Sequence, residues 1–197
     1  AKDKNGTVYE ERLFGQRAVD VITDHPNDKP LFLYYAFHSS CVGWAYPNEG
    51  PLQPDPEYYD KFSFVDDPDR RANNAMVSLM DDIVGNVTRA LKAKGLWDST
   101  LLLWSSDNGG ASHVGGGANN WPLKGGYMNN WEGGIRAAAL VAGGALPREV
   151  LGTRLEGMIH ISDWYGTFCY LAGLDAFDYK AARALPHVLP PVESVNV

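Results

Sequence analysis

Apolar residues recur at helical spacing in two long parts of the chain. In residues 8–24 they fall three and four positions apart, and in residues 68–94 the same period continues over a longer stretch. Such spacing places the apolar side chains on one face of a helix. Asp67 and Pro68 supply a capping carboxylate and a first-turn proline, and Gly95 supplies a stop signal. We therefore expect a helix over each stretch.

Short continuous apolar runs alternate with the helices. Residues 31–37 (LFLYYAF), 100–106 and 135–142 are bounded by proline, glycine or polar residues, as is typical of strands buried on both faces. A further helix is expected over residues 162–171, ended by Gly173. Helices that alternate with buried strands predict an α/β fold, in which helices cover both faces of a sheet.

Two segments lack a clear period. Residues 39–67 are rich in proline and tyrosine, and a loop of that length in a compact domain is usually functional or held down by its neighbours. The chain after residue 175 shows no firm pattern, and we expect it to be extended.

The composition is that of a globular protein with an acidic balance. The 197 residues carry a net charge of −7 without any basic stripe, which argues against nucleic-acid binding. The longest apolar runs are too short to span a bilayer. Cys41 and Cys169 could pair with each other, pair elsewhere or stay free. Asn5 and Asn86 begin glycosylation sequons, which indicate a secreted protein, although such tripeptides also arise by chance.

Asp107 and Asn108 follow directly after the strand predicted at residues 100–106. In open α/β sheets, ligands bind beyond the carboxyl ends of the strands. A carboxylate beside an amide offers the hard oxygen donors that Ca²⁺ and Mg²⁺ prefer. The same D-N-G-G sequence is also good turn chemistry. The residues alone therefore predict either a tight turn or part of a metal site.

The loop beyond this pair is rich in glycine and aromatic residues. Nine of the 21 glycines lie in residues 107–134, together with three large aromatic side chains and Lys124. A solvated linker would not carry such side chains, so we expect a pocket wall with one positive charge. His38 follows the strand predicted at residues 31–37. It is a candidate general acid or hydrogen-bond donor to an anion, and a structural histidine at the rim of the core is the alternative.

Five stretches give the chain a resemblance to sulfatases, most closely those of the arylsulfatase B type. They are KPLFLYYAF, MVSLMDDIVGNVTRALKAKGLWDSTLLLWSSDNGG, NNWPLKGG, WEGGIRAAALVAGG and IHISDW. The resemblance implies an α/β fold of the alkaline-phosphatase type, with a central, mostly parallel sheet flanked by helices. It also implies that residues 1–175 are part of a catalytic domain. Residues 176–197 would be an extended tail or the start of a C-terminal subdomain.

The resemblance favours the metal site over the plain turn. Sulfatases hold one Ca²⁺ with an Asp-Asn pair at the end of a strand, and Asp107 and Asn108 match that pair. Members of the family are usually secreted or lysosomal glycoproteins, and Asn86 lies where relatives carry a sequon. The resemblance therefore implies a secreted, extracellular or lysosomal protein, with Asn86 and Asn5 as its glycosylation sites.

Three features depart from the family pattern. The C-x-P-S-R motif, whose cysteine becomes the formylglycine nucleophile, does not occur, so the chain resembles only the second half of a sulfatase catalytic domain. Cys41 stands where relatives place a substrate-contacting histidine, and Tyr127 stands where they place a sulfate-contacting lysine. His38 and Lys124 are the nearest candidates for these two catalytic roles.

Two functions from different classes follow. One is a Ca²⁺-dependent hydrolase of sulfated glycans or aryl sulfate esters, whose formylglycine comes from the upstream half of the same protein. The other is an inactive sulfatase-like glycoprotein with a structural or glycan-binding role. The Asp107–Asn108 pair favours the enzyme, whereas Cys41 and Tyr127 favour the inactive protein. In either case we expect this segment alone to be inactive.

Overall fold

The chain divides into two compact units, Ala1–Glu149 and Val150–Val197. The computed structural model describes residues 8–40, 52–112, 115–183, 192 and 194–197. Within these ranges the elements are helices α1 (Glu10–Asp24), α2 (Pro56–Lys61), α3 (Pro68–Ala93), α4 (Glu132–Ile135) and α5 (Asp163–Leu171), and strands β1 (Leu102–Ser105) and β2 (Ala139–Ala142). None of the described helices combines the length and the apolar character that a membrane crossing requires.

Helices α1 and α3 pack against each other through their apolar faces. Ile22 of α1 and Leu79 of α3 are both buried. A Cβ on Gly15 would lie only 3.0 Å from the Ile83 side chain, so this glycine lets the two helices approach closely. At the start of α3, the Asp67 carboxylate accepts a hydrogen bond from the backbone N of Arg70 at 2.7 Å. Both helices predicted from periodicity are confirmed.

The loop predicted at residues 39–67 contains a short helix that periodicity does not reveal. Helix α2 begins as α3 does, with the Asp55 carboxylate accepting from the backbone N of Glu57 at 3.0 Å and Pro56 in the first turn. Arg12 of α1 binds the capping residue, because its Nε donates to the Asp55 carboxylate at 2.6 Å. The Arg12 hydrogen bond holds the pKa of Asp55 below its usual value.

The described part of the chain contains one sheet of two antiparallel strands. Strand β1 pairs with β2, with Leu102 opposite Ala142. The strand predicted over residues 100–106 is confirmed, whereas only the second half of the one predicted over residues 135–142 forms, because α4 occupies the start of that run. The predicted burial on both faces is wrong for these strands. Strand β1 is half-buried and β2 is mostly exposed, since no described element covers their outer surface.

The prediction of a buried strand at residues 31–37 is also wrong within the described structure. These residues have no strand partner among the described ranges. Phe32 and Tyr34 are 73% and 82% exposed, while Tyr35 and Phe37 pack against the buried cluster of α3. An apolar run records which side chains favour burial, but not whether a second layer is present to cover them.

The second unit contains α5, which confirms the helix predicted over residues 162–171. Residues 194–197 lie along it. The Ser194 hydroxyl accepts from the backbone N of Gly166 at 2.7 Å, and the Thr167 hydroxyl accepts from the backbone N of Val197 at 2.9 Å. The assignment of residues 176–197 to a tail or to a further subdomain stays a prediction.

Candidate functional site

Strand β1 carries Asp107 and Asn108 just beyond its carboxyl end. Past the strand, the backbone N of Gly109 donates to the carbonyl of Gly134 at 2.9 Å. The pair is therefore held between the sheet on one side and a backbone hydrogen bond on the other. This is the end of the strand at which a ligand site was expected.

The side-chain oxygens of this pair have no protein partner among the described residues. The Asn108 amide nitrogen donates to the carbonyl of Gly109 at 2.9 Å, which leaves the amide oxygen available. The Ser106 hydroxyl donates to the backbone carbonyl of Asn108 at 2.7 Å and fixes the turn. Asp107 is exposed and Asn108 is half-buried. Two hard oxygen donors are thus presented at one edge of the sheet.

The glycines around the pair allow neighbouring backbone segments to pack closely. A Cβ on Gly109 would lie 1.8 Å from the carbonyl oxygen of Gly133, and one on Gly134 would lie 2.2 Å from that of Asn129. Side chains do not tolerate such distances, so these positions need glycine. Backbone segments of this glycine-rich loop therefore cross one another at close range.

Asn120 fastens this loop, and sequence reasoning did not single it out. Its side-chain oxygen accepts from the backbone N of Gly110 at 2.9 Å, while its amide nitrogen donates to the carbonyls of Gly110 at 2.8 Å and Gly125 at 3.1 Å. The side chain thereby ties together three turns of the loop. The only signal in the sequence is an asparagine pair among glycines, which does not say which backbone groups it reaches.

The aromatic side chains of the loop are exposed, and they provide a partner for Lys124. Its Nζ lies 3.8 Å from the centroid of the Trp131 ring, a cation–π contact. Tyr127 is partly exposed and anchors its backbone by donating from N to the carbonyl of Gly110 at 3.1 Å. The cation expected in the pocket wall is therefore engaged with an aromatic ring in this structure.

His38 lies against α1, at the end of a run that forms no strand in the described structure. Its Nδ1 is 3.2 Å from a carboxylate oxygen of Glu10, and its ring meets the edge of Phe14 with a centroid distance of 5.9 Å. Its backbone N donates to the Glu11 carboxylate. Within the described chain, no hydrogen bond or ion pair joins His38 to Lys124 or to the Asp107–Asn108 pair.

Side chains at the start of α3 form hydrogen bonds with backbone groups of the loop. The Asp69 carboxylate accepts from the backbone N of Gly115 at 3.1 Å, and the Arg70 guanidinium donates to the carbonyl of Ala118 at 3.2 Å. Asn73, one helical turn later, is buried and also reaches this loop. The helix predicted from its apolar face thus has a second, polar role at its beginning.

The remaining candidates are placed as follows. Asn86 is exposed on α3, where its side-chain oxygen accepts from Arg89. Cys169 is a free thiol, while Asn5 and Cys41 lie outside the described residues. No group of three or more His, Cys, Asp or Glu side chains in the described ranges is arranged to hold a metal ion.

The chain and its fold are similar to known proteins. A family model described as Sulfatase matches residues 2–174. Arylsulfatase J of Mus musculus is 36% identical over 172 residues, which cover 87% of this chain and 27% of that protein. N-acetylgalactosamine-6-sulfatase of Mus musculus is 29% identical over 180 residues, covering 87% and 30%.

A solved structure agrees with these matches. The crystal structure of Ps i-CgsB in complex with k-i-k-neocarrahexaose aligns with a TM-score of 0.71 at 32% identity, covering 86% of this chain and 35% of that one. The present chain thus spans between 27% and 35% of the length of these three proteins. Its fold is a partial α/β fold of the alkaline-phosphatase-like sulfatase type, and the chain belongs to the sulfatase family.

Proposed function

We propose that the chain is part of an arylsulfatase-like sulfuric ester hydrolase that acts with Ca²⁺ on a sulfated glycan or an aryl sulfate ester. One observation carries this proposal: a carboxylate and an amide oxygen without a described partner lie at the carboxyl end of β1. The residues that bear them, Asp107 and Asn108, match the Asp-Asn pair of sulfatases.

The donor chemistry of the pair fits a hard divalent cation. A carboxylate and an amide oxygen are ligands that Ca²⁺ prefers, but the ion takes six to eight oxygens. Asp107 and Asn108 supply two side chains, so the upstream half of the protein would supply most of the others. When bound, the ion would stabilise negative charge on the sulfate oxygens.

His38 and Lys124 are the proposed polar groups on the substrate side. The Lys124 ammonium would bind a sulfate oxygen by exchanging its contact with Trp131, which is worth about 0.5–1 kcal/mol at an exposed site. His38 would donate a proton to the leaving oxygen, with Glu10 orienting its ring through the 3.2 Å contact at Nδ1. The formylglycine nucleophile would come from the upstream half.

The same upstream half is the proposed partner of the exposed apolar surface. Phe32 and Tyr34 face outward in an extended run, and β2 is mostly exposed. The matched segment makes up only 27% and 30% of the two Mus musculus relatives. We propose that the rest of the domain covers these residues.

An inactive sulfatase-like glycoprotein is the second candidate. Tyr127 stands where the family has a lysine, and the nearby Lys124 is engaged with Trp131. If the Lys124 contact does not exchange for substrate, the fold would keep its ligand-binding edge without turnover.

The proposed compartment is secretory, whichever function holds. Asn86 is exposed on α3 within its sequon, so a glycan can be attached there without disturbing the apolar face, and Asn5 is a second candidate. Intact-mass analysis before and after glycosidase treatment tests this. A protein of unmodified mass from secretory expression would count against it.

Arylsulfatase assays on the chain and on the full-length protein test the proposed activity. The isolated chain should give no turnover, because it lacks the nucleophile motif. The full-length protein should turn over an aryl sulfate when Ca²⁺ is present. Asp107→Asn should abolish this turnover, whereas the matched substitution Asp98→Asn, at another exposed aspartate near β1, should not. A full-length protein with intact fold and no turnover would favour the inactive candidate.

A further inference from the structure

A buried amide on α3 connects the two halves of the proposed site. Asn73 is only 8% exposed. Its Nδ2 donates to the Ser40 hydroxyl oxygen at 2.9 Å and to the carbonyl of Gly116 at 3.4 Å. An amide nitrogen carries two hydrogens, so both bonds can form at once.

One end of this bridge lies beside the candidate histidine. Ser40 follows His38 by two residues and has a φ of 68°, a left-handed conformation that is uncommon for a residue with a Cβ. Such a turn persists where its surroundings fix it. The bond from Asn73 is a contact of this kind, because it holds the Ser40 hydroxyl from a rigid helix.

The other end lies in the loop that follows the candidate metal ligands. A Cβ on Gly116 would lie 2.0 Å from the carbonyl oxygen of Ala111, so Gly116 packs directly on the segment that leaves Asn108. The backbone N of Ala118 also donates to the Ala111 carbonyl at 3.1 Å. Movement of the Gly116 carbonyl would therefore be passed to the Asp107–Asn108 turn through closely packed backbone.

Asp69 and Arg70 hold the same loop from the same helix, but none of their hydrogen bonds to described residues reaches Ser40. Among the described contacts of α3, Asn73 is the one that reaches both segments. The apolar face of the helix explains its packing on α1, whereas it does not explain a buried asparagine. Burial of an amide is favourable only when its hydrogen bonds are made, and here they join two separate loops.

We propose that Asn73 is a positioning residue, which sets the His38 turn against the Asp107–Asn108 loop so that the histidine meets a sulfate ester held at the metal site. This inference rests on the proposed function. It predicts that loss of the Asn73 amide misplaces His38 and leaves substrate binding nearly intact. Misplacement of a reacting group by about 1 Å costs on the order of 10²-fold in rate.

The kinetic test uses the full-length protein and the variant Asn73→Leu, which has a similar shape and no hydrogen-bonding atoms. We expect kcat for an aryl sulfate to fall about 10- to 100-fold, with KM changed by less than about threefold. Asn74→Leu, the same substitution one residue along α3, should change neither. Ser40→Ala cuts the same bond from outside the helix and should reproduce the loss, even if Asn73→Leu folds poorly.

A double-mutant cycle with His38→Ala separates positioning from a merely structural role. If Asn73 acts through His38, then Asn73→Leu should have little further effect on kcat once His38 is removed. An equal loss in both backgrounds would overturn the proposal. So would an unchanged kcat in Asn73→Leu and Ser40→Ala.

Hydrogen exchange on the full-length protein, which needs no activity, keeps the inference separate from the proposed function. Asn73→Leu should raise amide exchange in residues 38–40 and in residues 115–118 together, while Asn74→Leu should raise neither. If the full-length protein has no activity, the proposed function fails, and this exchange pattern decides the inference. A change confined to one of the two segments would contradict it.

Discussion

The α1–α3 pack and the glycine loop at residues 107–134 are stabilised in opposite ways. The helical pack is held by side chains, with Leu79 and Ile83 buried against α1 and Arg12 clamping the cap of α2. The loop is held by close backbone contacts and by polar side chains such as Asn120, with carbonyl groups lying where side chains would otherwise be. Removing side-chain atoms should therefore destabilise the helical pack, whereas adding a methyl group should destabilise the loop.

The difference also separates stability from function. The helical pack buries apolar surface, the dominant stabilising term in folding. The loop buries little apolar surface, yet it presents the Asp107 and Asn108 oxygens at a fixed place.

The largest expected effect comes from removing a buried side chain from the helical pack. Leu79 is 3% exposed, and Leu79→Ala should lower the free energy of unfolding by about 2–5 kcal/mol. Val77→Ala, two residues along α3 at an exposed position, is the control and should cost far less. Denaturant titration of the two variants compares them, and equal losses would show that Leu79 is not part of a packed core.

The next effect comes from filling the loop. Gly109→Ala places a methyl group against the Gly133 carbonyl, and overpacking of this kind typically costs about 1–3 kcal/mol. Gly85→Ala makes the same change in α3, where the new methyl group meets only the flexible end of Arg89 at 3.4 Å. That variant should be neutral or stabilised by up to about 1 kcal/mol. Thermal unfolding that ranks the two variants in the reverse order would contradict the contrast.

The sequence predicts some regions better than others, because some are specified by neighbouring residues and others by distant ones. The helices at residues 10–24 and 68–93 are specified locally, by an apolar period and, for α3, by Asp67 and Pro68. The same Asp-Pro signal stands at Asp55 and was overlooked, because α2 is too short to show a period. The run at residues 31–37 was misplaced because its burial depends on elements that sequence polarity does not identify.

The candidate site was predicted in part. Asp107 and Asn108 stand at a strand end, which a short apolar run followed by D-N-G-G indicates. The contacts of Asn120 and Asn73 span the loop and join distant segments, and no local pattern encodes such partners. The resemblance to sulfatases suggested the metal pair but did not point to either asparagine.

Acid should weaken the helical pack through the cap of α2. The Arg12 hydrogen bond lowers the pKa of Asp55 in the folded protein, so its contribution is complete above the unfolded value of about 3.9. That contribution is lost as pH falls through the lowered pKa of the folded state. Asp55→Asn should flatten the pH dependence of unfolding below about pH 4, and Asp66→Asn, at an exposed position, should not. If both variants showed the same pH dependence of unfolding, Asp55 would not be the group responsible.

The smallest effect is expected at Lys124. Its contact with Trp131 is exposed, so Lys124→Ala should change the free energy of unfolding by less than about 1 kcal/mol. In the full-length protein the same variant should raise KM for an aryl sulfate if the ammonium binds sulfate. An unchanged KM would assign Lys124 to the aromatic contact alone.

Calcium titration of the full-length protein tests the central claim most directly. Calorimetry should detect one Ca²⁺ site in the wild-type protein, and Asp107→Asn should weaken it by more than the 10- to 100-fold typical of residues that only support a ligand. Asp98→Asn should bind Ca²⁺ as the wild-type protein does. Equal Ca²⁺ affinity in Asp107→Asn and the wild-type protein would contradict the assignment of the β1 end as part of the metal site.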